Sequence, residues 1–160
     1  MCIRDSRMSN GWNCLNGDGH LASLYLPKSL KEISSAIGNI SVDSLYFSPQ
    51  KIHAVSSESF YRGDNNKYLK HLFLGENIDS IPKYSFLGCK NLTSIHLGKK
   101  MHYIGEAAFY ASTNLKQLNW NEFTSSLDYI GPRVFLETQW KPDTILIGDK
   151  IENFDVSSFQ

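Results

Sequence analysis

Apolar residues recur along this chain in one fixed order of spacings. The unit reads L-x-x-L-x-L-x3-[LIM]-x2-[IVF]-x3-[AS]-F, where x is variable. The segments 69–74 and 92–97 stand 23 residues apart and carry the same apolar positions. Copies of the unit begin at Leu21, Val42, Leu69, Leu92, Leu115 and Pro142. Extra residues in the longer copies fall in polar connections, where added length has little effect on closure entropy.

The spacings predict a short strand in each copy. Apolar residues two apart, such as Leu72 and Leu74, lie on one side of a strand and point together into a core. The second half of the unit fits another short strand or a turn, with its phenylalanine closing the far side of the core. One copy alone cannot bury these side chains, but parallel strands stacked about 4.8 Å apart can. We therefore expect a mainly β repeat solenoid with short irregular or helical turns and a parallel sheet on one face.

Three segments carry a resemblance to a known family of repeats. The segment 24–33 contains the L-x-L strand, and the segments 81–92 and 104–115 place a small residue and a phenylalanine, as in Ser85-Phe86, between isoleucine and leucine. With six copies in register, the chain resembles leucine-rich repeat proteins, and within them the BspA-like, or Treponema-type, subfamily. The resemblance implies a horseshoe or slab with its parallel sheet on one face. It also implies an extracellular or cell-surface protein used for adhesion or recognition.

The two ends of the chain differ from the array. Residues 1–6 lack the apolar stretch of a signal peptide and resemble the translation of a transposon end used in sequencing libraries, so we expect a non-native leader. We assign residues 7–20 to a partial N-terminal repeat or flank, and residues 21–160 to the repeat array. The chain stops one residue after Phe159 without a polar cap, so we expect the array to be truncated at its C-terminus.

The residues between the inward-pointing positions should lie on the open face of the sheet. The candidate ligand-binding residues are the side chains at the fifth position of five copies, together with one histidine at a third position: Tyr25, Tyr46, Phe73, His96, Asn119 and His71. Exposed aromatic residues are enriched where partners dock, which favours a binding strip. The alternative is that the rings stack across neighbouring strands only to stabilise the sheet.

Composition and charge exclude several classes of protein. Lys and Arg together number 16, as do Asp and Glu, so the chain lacks the basic excess of a nucleic-acid binder. No apolar run approaches the roughly 18 residues of a membrane span. The three cysteines form no CxxC pair and no G-x-S-x-G motif is present, so neither a zinc site nor a nucleophile elbow is indicated. His71 and His96 would lie about 8 Å apart on the sheet, which fits one metal ion poorly.

We therefore expect a non-enzymatic module without catalytic residues, metal or cofactor, which recognises a protein or a glycan with its sheet face. Two other functions fit the same sequence: a passive structural spacer, or an accessory repeat region of a larger secreted enzyme. A spacer should carry polar residues on its strand faces, whereas this chain places aromatic residues there in three consecutive copies. The sequence leaves the identity of the partner and the oligomeric state open.

Overall fold

A computed structural model of the chain describes residues 20–30, 41–48 and 68–160. The expected leader, the flank up to residue 19 and most of the second halves of the first two copies lie outside these residues. Within the described ranges, no helix is long and apolar enough to cross a membrane.

The strands of the described residues belong to two parallel sheets. In chain order they are β1 (Leu21–Leu26), β2 (Val42–Phe47), β3 (His71–Leu74), β4 (Ser80–Ile81), β5 (Ser94–His96), β6 (Tyr103–Ile104), β7 (Gln117–Leu118) and β8 (Tyr129–Ile130). The larger sheet has the order β1-β2-β3-β5-β7, and the smaller has the order β4-β6-β8. Every pair of neighbouring strands is parallel. Because neighbouring strands come from successive copies, the predicted mainly β repeat solenoid is confirmed.

The larger sheet is built by the first half of the repeat. Residues at the fourth position face one another across its strands, so that Leu24 pairs with Leu45 and Leu45 pairs with Leu72. All three side chains are buried. The row continues through Ile95 to the partly buried Leu118. Each inward residue therefore lies between its counterparts in the adjacent copies, as the spacing predicted.

The smaller sheet is built by the second half of the repeat. Ile81 pairs with Ile104, and Ile104 pairs with Ile130, across β4, β6 and β8. All three isoleucines are buried and belong to the same apolar cluster as the inward residues of the larger sheet. The second half of the unit thus forms the short strand that its spacing predicted, and the two sheets share one core.

The phenylalanines that follow the smaller sheet form a stack within this core. The ring centroids of Phe86 and Phe109 are 5.3 Å apart, and those of Phe109 and Phe135 are 5.7 Å apart, with planes within 9° of parallel. Each ring is almost completely buried. Burial of a phenylalanine side chain stabilises a fold by about 1.5–3 kcal/mol. The stack is therefore a principal contact between consecutive copies.

The turn that carries each phenylalanine repeats the same backbone conformation. Positive φ values between 50° and 70° recur in pairs four residues apart, at Tyr84 and Gly88, Ala107 and Ala111, and Arg133 and Glu137. The Phe86 amide donates to the Ala108 carbonyl at 2.8 Å, and the Phe109 amide donates to the Val134 carbonyl at 3.1 Å. Left-handed backbone is unfavourable for residues other than glycine. These hydrogen bonds between copies, rather than residue preference, therefore hold the turns.

The sixth copy departs from the predicted strand. Residues 145–147 form no strand, and the larger sheet ends at β7. A 3-10 turn at Trp120–Glu122 follows β7, and the Trp120 indole Nε1 donates to the Leu146 carbonyl at 2.8 Å. This side-chain hydrogen bond links the fifth and sixth copies where a backbone ladder was expected. The expectation of a sixth strand is therefore wrong, and Leu146 and Ile147 are exposed.

A group of ionisable side chains connects residues at the start of the first three strands of the larger sheet. The Asp43 carboxylate Oδ1 lies 3.1 Å from Lys70 Nζ and 3.2 Å from His20 Nε2. Hydrogen bonding to His20, followed by hydrogen bonding to Lys70, lowers the pKa of Asp43 below its ordinary value. The Lys70 amide also donates to the Asp43 carbonyl at 2.8 Å. Backbone and side-chain contacts therefore join β2 to the residues that precede β3.

Glycines occupy the corners where consecutive copies approach most closely. Gly105 and Gly131 follow β6 and β8, and a Cβ at either position would lie under 3.0 Å from the backbone of the preceding copy, at Lys83 and Glu106 respectively. Gly88 differs, because a Cβ there would meet nothing within 4 Å although its φ is +70°. Glycine is therefore required at Gly105 and Gly131 because the backbones of consecutive copies lie too close for a side chain. At Gly88 glycine is favoured because the backbone is left-handed.

We predict that Gly105→Ala destabilises the chain more than Gly88→Ala does. The first substitution should lower the free energy of unfolding by about 3 kcal/mol, because the methyl group meets backbone that cannot rotate away. The second should lower it by about 1–2 kcal/mol, the usual effect of a side chain on left-handed backbone. Urea unfolding followed by circular dichroism measures both values. Equal losses at the two positions would contradict the close-approach explanation.

We predict that Asp43 contributes to stability above about pH 4 and that this contribution disappears in acid. Its pKa is lowered in the folded state, so the unfolded chain binds the proton more readily. The contribution is therefore lost as the pH falls through the folded-state pKa. Asp43→Asn should flatten the decline in melting temperature below about pH 4. Asp149→Asn is the control, because it removes an exposed carboxylate that has no ion-pair partner in the described chain, and it should leave the decline unchanged.

Candidate functional site

The fifth positions of four consecutive copies form a row of rings on the larger sheet, here called the aromatic strip: Tyr25, Tyr46, Phe73 and His96. The register pairs each ring with the next across β1, β2, β3 and β5. Tyr25 and Tyr46 have centroids 4.2 Å apart with planes 6° from parallel, and Tyr46 and Phe73 have centroids 4.3 Å apart at 3°. The His96 ring is tilted by 34° and lies 6.3 Å from Phe73. The structure therefore brings these four predicted residues together.

The rings of the aromatic strip differ in exposure. Tyr25 is 64% exposed, His96 is also exposed, and Tyr46 and Phe73 are half-buried. Because stacked rings cover each other's faces, the two inner residues present mainly their edges to solvent. The edge of an aromatic ring carries partial positive charge and its face carries partial negative charge. A partner approaching the centre of the strip therefore meets ring edges and a tyrosine hydroxyl.

The Tyr46 hydroxyl of the strip remains protonated near neutral pH. Hydrogen bonding to the Tyr25 hydroxyl, followed by burial, raises the pKa of Tyr46 above its ordinary value. A neutral phenol both donates and accepts hydrogen bonds. Tyr46 therefore adds a neutral polar group to the centre of the strip.

His71 lies beside the aromatic strip at the third position of its copy. Its half-buried ring is held from the next strand, since His71 Nδ1 lies 2.7 Å from the Ser94 hydroxyl oxygen. His71 pairs with Ser94 in the register, whereas His96 pairs with Phe73. Among the described residues, no group of three potential metal-binding side chains lies together. The expected absence of a metal, a cofactor and catalytic residues remains a prediction.

Asn119 continues the row, but its amide is bound within the protein. The Leu97 amide donates to Asn119 Oδ1 at 2.8 Å, and Asn119 Nδ2 donates to the Leu97 carbonyl at 2.8 Å. Asn119 Nδ2 also donates to Glu122 Oε2 at 3.2 Å. The side chain thus imitates a backbone peptide group where the ladder ends. Its predicted role in ligand binding is untested, and the structure adds a role in closing the sheet.

A cleft of about 280 Å³ lies next to Asn119, beyond the last strand of the larger sheet. The residues that give the cleft its character are Trp120, Asn121, Glu122, Trp140 and Thr144. The repeat pattern did not indicate this cleft. Its one signal in the sequence is that the fifth copy has three extra residues between Trp120 and Leu127. The structure places a 3-10 turn at that point.

A second pair of stacked tyrosines lies on the smaller sheet. Tyr103 and Tyr129 have centroids 4.9 Å apart with planes 10° from parallel, and they are 40% and 39% exposed. Burial, followed by the charge of Tyr129, raises the pKa of Tyr103. Aromatic stacking across parallel strands therefore occurs outside the aromatic strip as well. This pair provides an internal comparison for deciding whether the strip binds a partner or only stabilises its sheet.

Comparison with known families identifies the repeat. Residues 37–160 match the family model of the BspA type leucine-rich repeat region in six copies. The chain belongs to this family. The BspA-type match confirms the resemblance inferred from the spacing, although the copy that starts at Leu21 lies largely before the matched range. No curated protein and no solved structure matches the chain.

BspA-type repeats are typical of surface or secreted proteins and suggest a binding or adhesion module. In this BspA-type chain the aromatic strip lies on the larger parallel sheet, at the outward positions of the L-x-x-L-x-L half. The strip is therefore the candidate binding surface, with His71 beside it and Asn119 at its end.

We predict that Asn119→Ala lowers the free energy of unfolding of the BspA-type array by about 2 kcal/mol. The substitution leaves the Leu97 amide and carbonyl without the partners that they have in the structure. Gln117→Ala is the matched control, because Gln117 is an exposed strand residue without a side-chain hydrogen bond in the described chain. It should change stability by less than about 0.5 kcal/mol. Similar losses for both variants, measured by urea unfolding, would show that the Asn119 amide does not secure the sheet end.

Proposed function

We propose that this chain is a non-enzymatic recognition module of a surface or secreted protein, which binds a protein partner through the aromatic strip. The observation that carries the proposal is the in-register row of rings on the larger sheet, which ends in a tyrosine that is 64% exposed. Aromatic residues supply a large share of the binding energy at protein interfaces. Membership of the BspA-type family supports a binding role.

The geometry of the strip favours a protein over a glycan. A sugar packs on an aromatic side chain by placing its C–H groups against the negative ring face. In the strip the faces between Tyr25, Tyr46 and Phe73 are occupied by neighbouring rings at 4.2–4.3 Å. Ring edges and phenol groups remain, and these suit the apolar side chains and carbonyl groups of a protein surface.

Two alternative functions make different demands on the strip. A passive spacer needs the rings only for their stacking energy, which is about 0.5–1.5 kcal/mol per pair. An accessory region of an enzyme would contribute binding energy to a reaction carried out elsewhere. The first alternative predicts that the strip and the Tyr103–Tyr129 pair are equivalent, since both are stacked across parallel strands. A comparison of the two surfaces therefore separates recognition from stability.

We predict that Tyr25→Ser weakens partner binding at least about tenfold, because an interface aromatic residue contributes more than about 1.4 kcal/mol. Tyr129→Ser is the matched control, since each tyrosine stacks on one neighbour of its own sheet. Peptides selected on the immobilised chain from a displayed random library serve as probes, and a glycan array tests the alternative ligand class. The double variant Tyr46→Ser/Phe73→Ser should abolish peptide binding, and circular dichroism verifies that each variant is folded.

Peptide binding that survives Tyr25→Ser and the double variant, with both variants less stable, would favour the purely structural role. Equal losses of binding for Tyr25→Ser and Tyr129→Ser would show that reduced stability, not a lost contact, is responsible. If the chain binds ligands only on the glycan array, and Tyr25→Ser abolishes this binding, the partner of the strip is a glycan and not a protein.

A further inference from the structure

The cleft beyond the aromatic strip arises where the larger sheet stops. Its walls come from the 3-10 turn Trp120–Glu122 on one side and from the segment 140–144 on the other. No sixth strand pairs with β7 at this point, and the Trp120 indole hydrogen bond to the Leu146 carbonyl joins the fifth and sixth copies there. At about 280 Å³ the cleft is near the lower end of the size range of ligand pockets. It has room for one side chain or one small ring.

The interior of the cleft is aromatic. Trp120 and Trp140 are 3% and 9% exposed, and their ring centroids are 5.7 Å apart with planes at 45°. The Trp120 indole N–H is already bonded to the Leu146 carbonyl. Trp120 therefore offers the cleft no free donor, and the two largely buried indoles expose little of their ring faces to a ligand.

The rim of the cleft is polar and rich in acceptors. Asn119 Nδ2 already donates to the Leu97 carbonyl and to Glu122 Oε2. Glu122 keeps a second carboxylate oxygen, and the exposed side chains of Asn121 and Thr144 have no hydrogen-bond partner in the described part of the chain. Free oxygen acceptors therefore lie at Glu122, Asn121 and Thr144, and the Asn121 amide and the Thr144 hydroxyl can also donate.

The charge of the residues that line the cleft favours a cationic ligand. Glu122 carries the only formal charge among the residues that line the cleft, and no lysine or arginine lines it. An anionic ligand would meet an unpaired carboxylate, whereas a cation would gain a charge-assisted hydrogen bond. A guanidinium group has five N–H donors in a fixed fork and no acceptor, so it can donate to several of the oxygen atoms on the rim at once.

We propose that the cleft binds the guanidinium group of an arginine side chain on a protein partner. The proposal rests on the proposed function only in that the partner is a protein. The guanidinium group would donate to Glu122 and to the free acceptors of Asn121 or Thr144, close enough to the two indoles to change their environment. An arginine anchored here would fix which residue of the partner lies beside the His96 end of the strip.

The test uses the full chain and two probes of almost the same shape, N-acetylarginine amide and N-acetylcitrulline amide. The second replaces the charged guanidinium by a neutral urea group. Titration is followed by the indole N–H resonances of Trp120 and Trp140 in NMR spectra. The arginine probe should shift these resonances and bind at least about tenfold more tightly than the citrulline probe, and its affinity should fall as salt is added.

The variant Glu122→Gln should weaken binding of the arginine probe about tenfold, the effect of losing one charge-assisted hydrogen bond. In this variant the glutamine amide oxygen can still accept the hydrogen bond from Asn119, so the contacts at the end of the larger sheet are preserved. Glu152→Gln is the matched control, because it makes the same change of net charge at an exposed residue outside the cleft. It should leave the affinity unchanged.

Equal binding of the arginine and citrulline probes, or no shift of the indole resonances by either, would overturn the proposal. Equal effects of Glu122→Gln and Glu152→Gln would do the same. N-acetyllysine amide binding as tightly as the arginine probe would overturn the preference for a guanidinium group, and chitotriose shifting the resonances in place of arginine would identify a sugar site. Tyr25→Ser should leave binding of the arginine probe unchanged, so failure at the cleft and failure at the strip are distinguishable.

Discussion

Each copy of this repeat buries its apolar side chains only because another copy lies against it. Leu45 lies between Leu24 and Leu72, and Ile104 lies between Ile81 and Ile130. Backbone amides of one copy donate to carbonyls of its neighbour at both sheets and at the phenylalanine turns. The stability of such an array is approximately a sum of terms between nearest neighbours. A change at one corner, such as a methyl group at a closely packed glycine, therefore acts on two copies at once.

The same contact between neighbouring copies determines which side chains lie together on the surface. Because the copies are in register, equivalent outward side chains are brought side by side, and aromatic residues at one position stack. The tyrosines of the smaller sheet show that this stacking occurs on both sheets. Stacking explains how Tyr46 and Phe73 remain half-buried without a partner protein. It also leaves the ring edges exposed, so stability and recognition use different parts of the same rings.

The sequence predicted those features in which equivalent positions of neighbouring copies contact each other. The inward rows, the second short strand and the neighbours within the aromatic strip all follow from the spacing of apolar residues, which a parallel register preserves. Three features were not predicted: the amide of Asn119 bound to Leu97, the missing sixth strand, and the left-handed residues of the turns. Each depends on hydrogen bonds between a side chain or turn and one particular neighbour. A spacing pattern contains no information about such individual contacts.

The end of the larger sheet shows why a binding cleft requires an interruption of the repeat. Parallel strands lie about 4.8 Å apart, and their side chains fill the space between copies, so a regular array offers partners a surface rather than a cavity. At the end of the larger sheet, side chains replace the ladder: Asn119 of the fifth copy satisfies the peptide groups of Leu97 in the fourth, and Trp120 of the fifth copy bonds to the Leu146 carbonyl of the sixth. The peptide groups of Leu97 and the Leu146 carbonyl therefore have partners although no sixth strand is present, and the cleft lies between the fifth and sixth copies. Residue types outside the repeat consensus at such a junction, here tryptophan, asparagine and glutamate, are therefore the first place to look for specificity in this array.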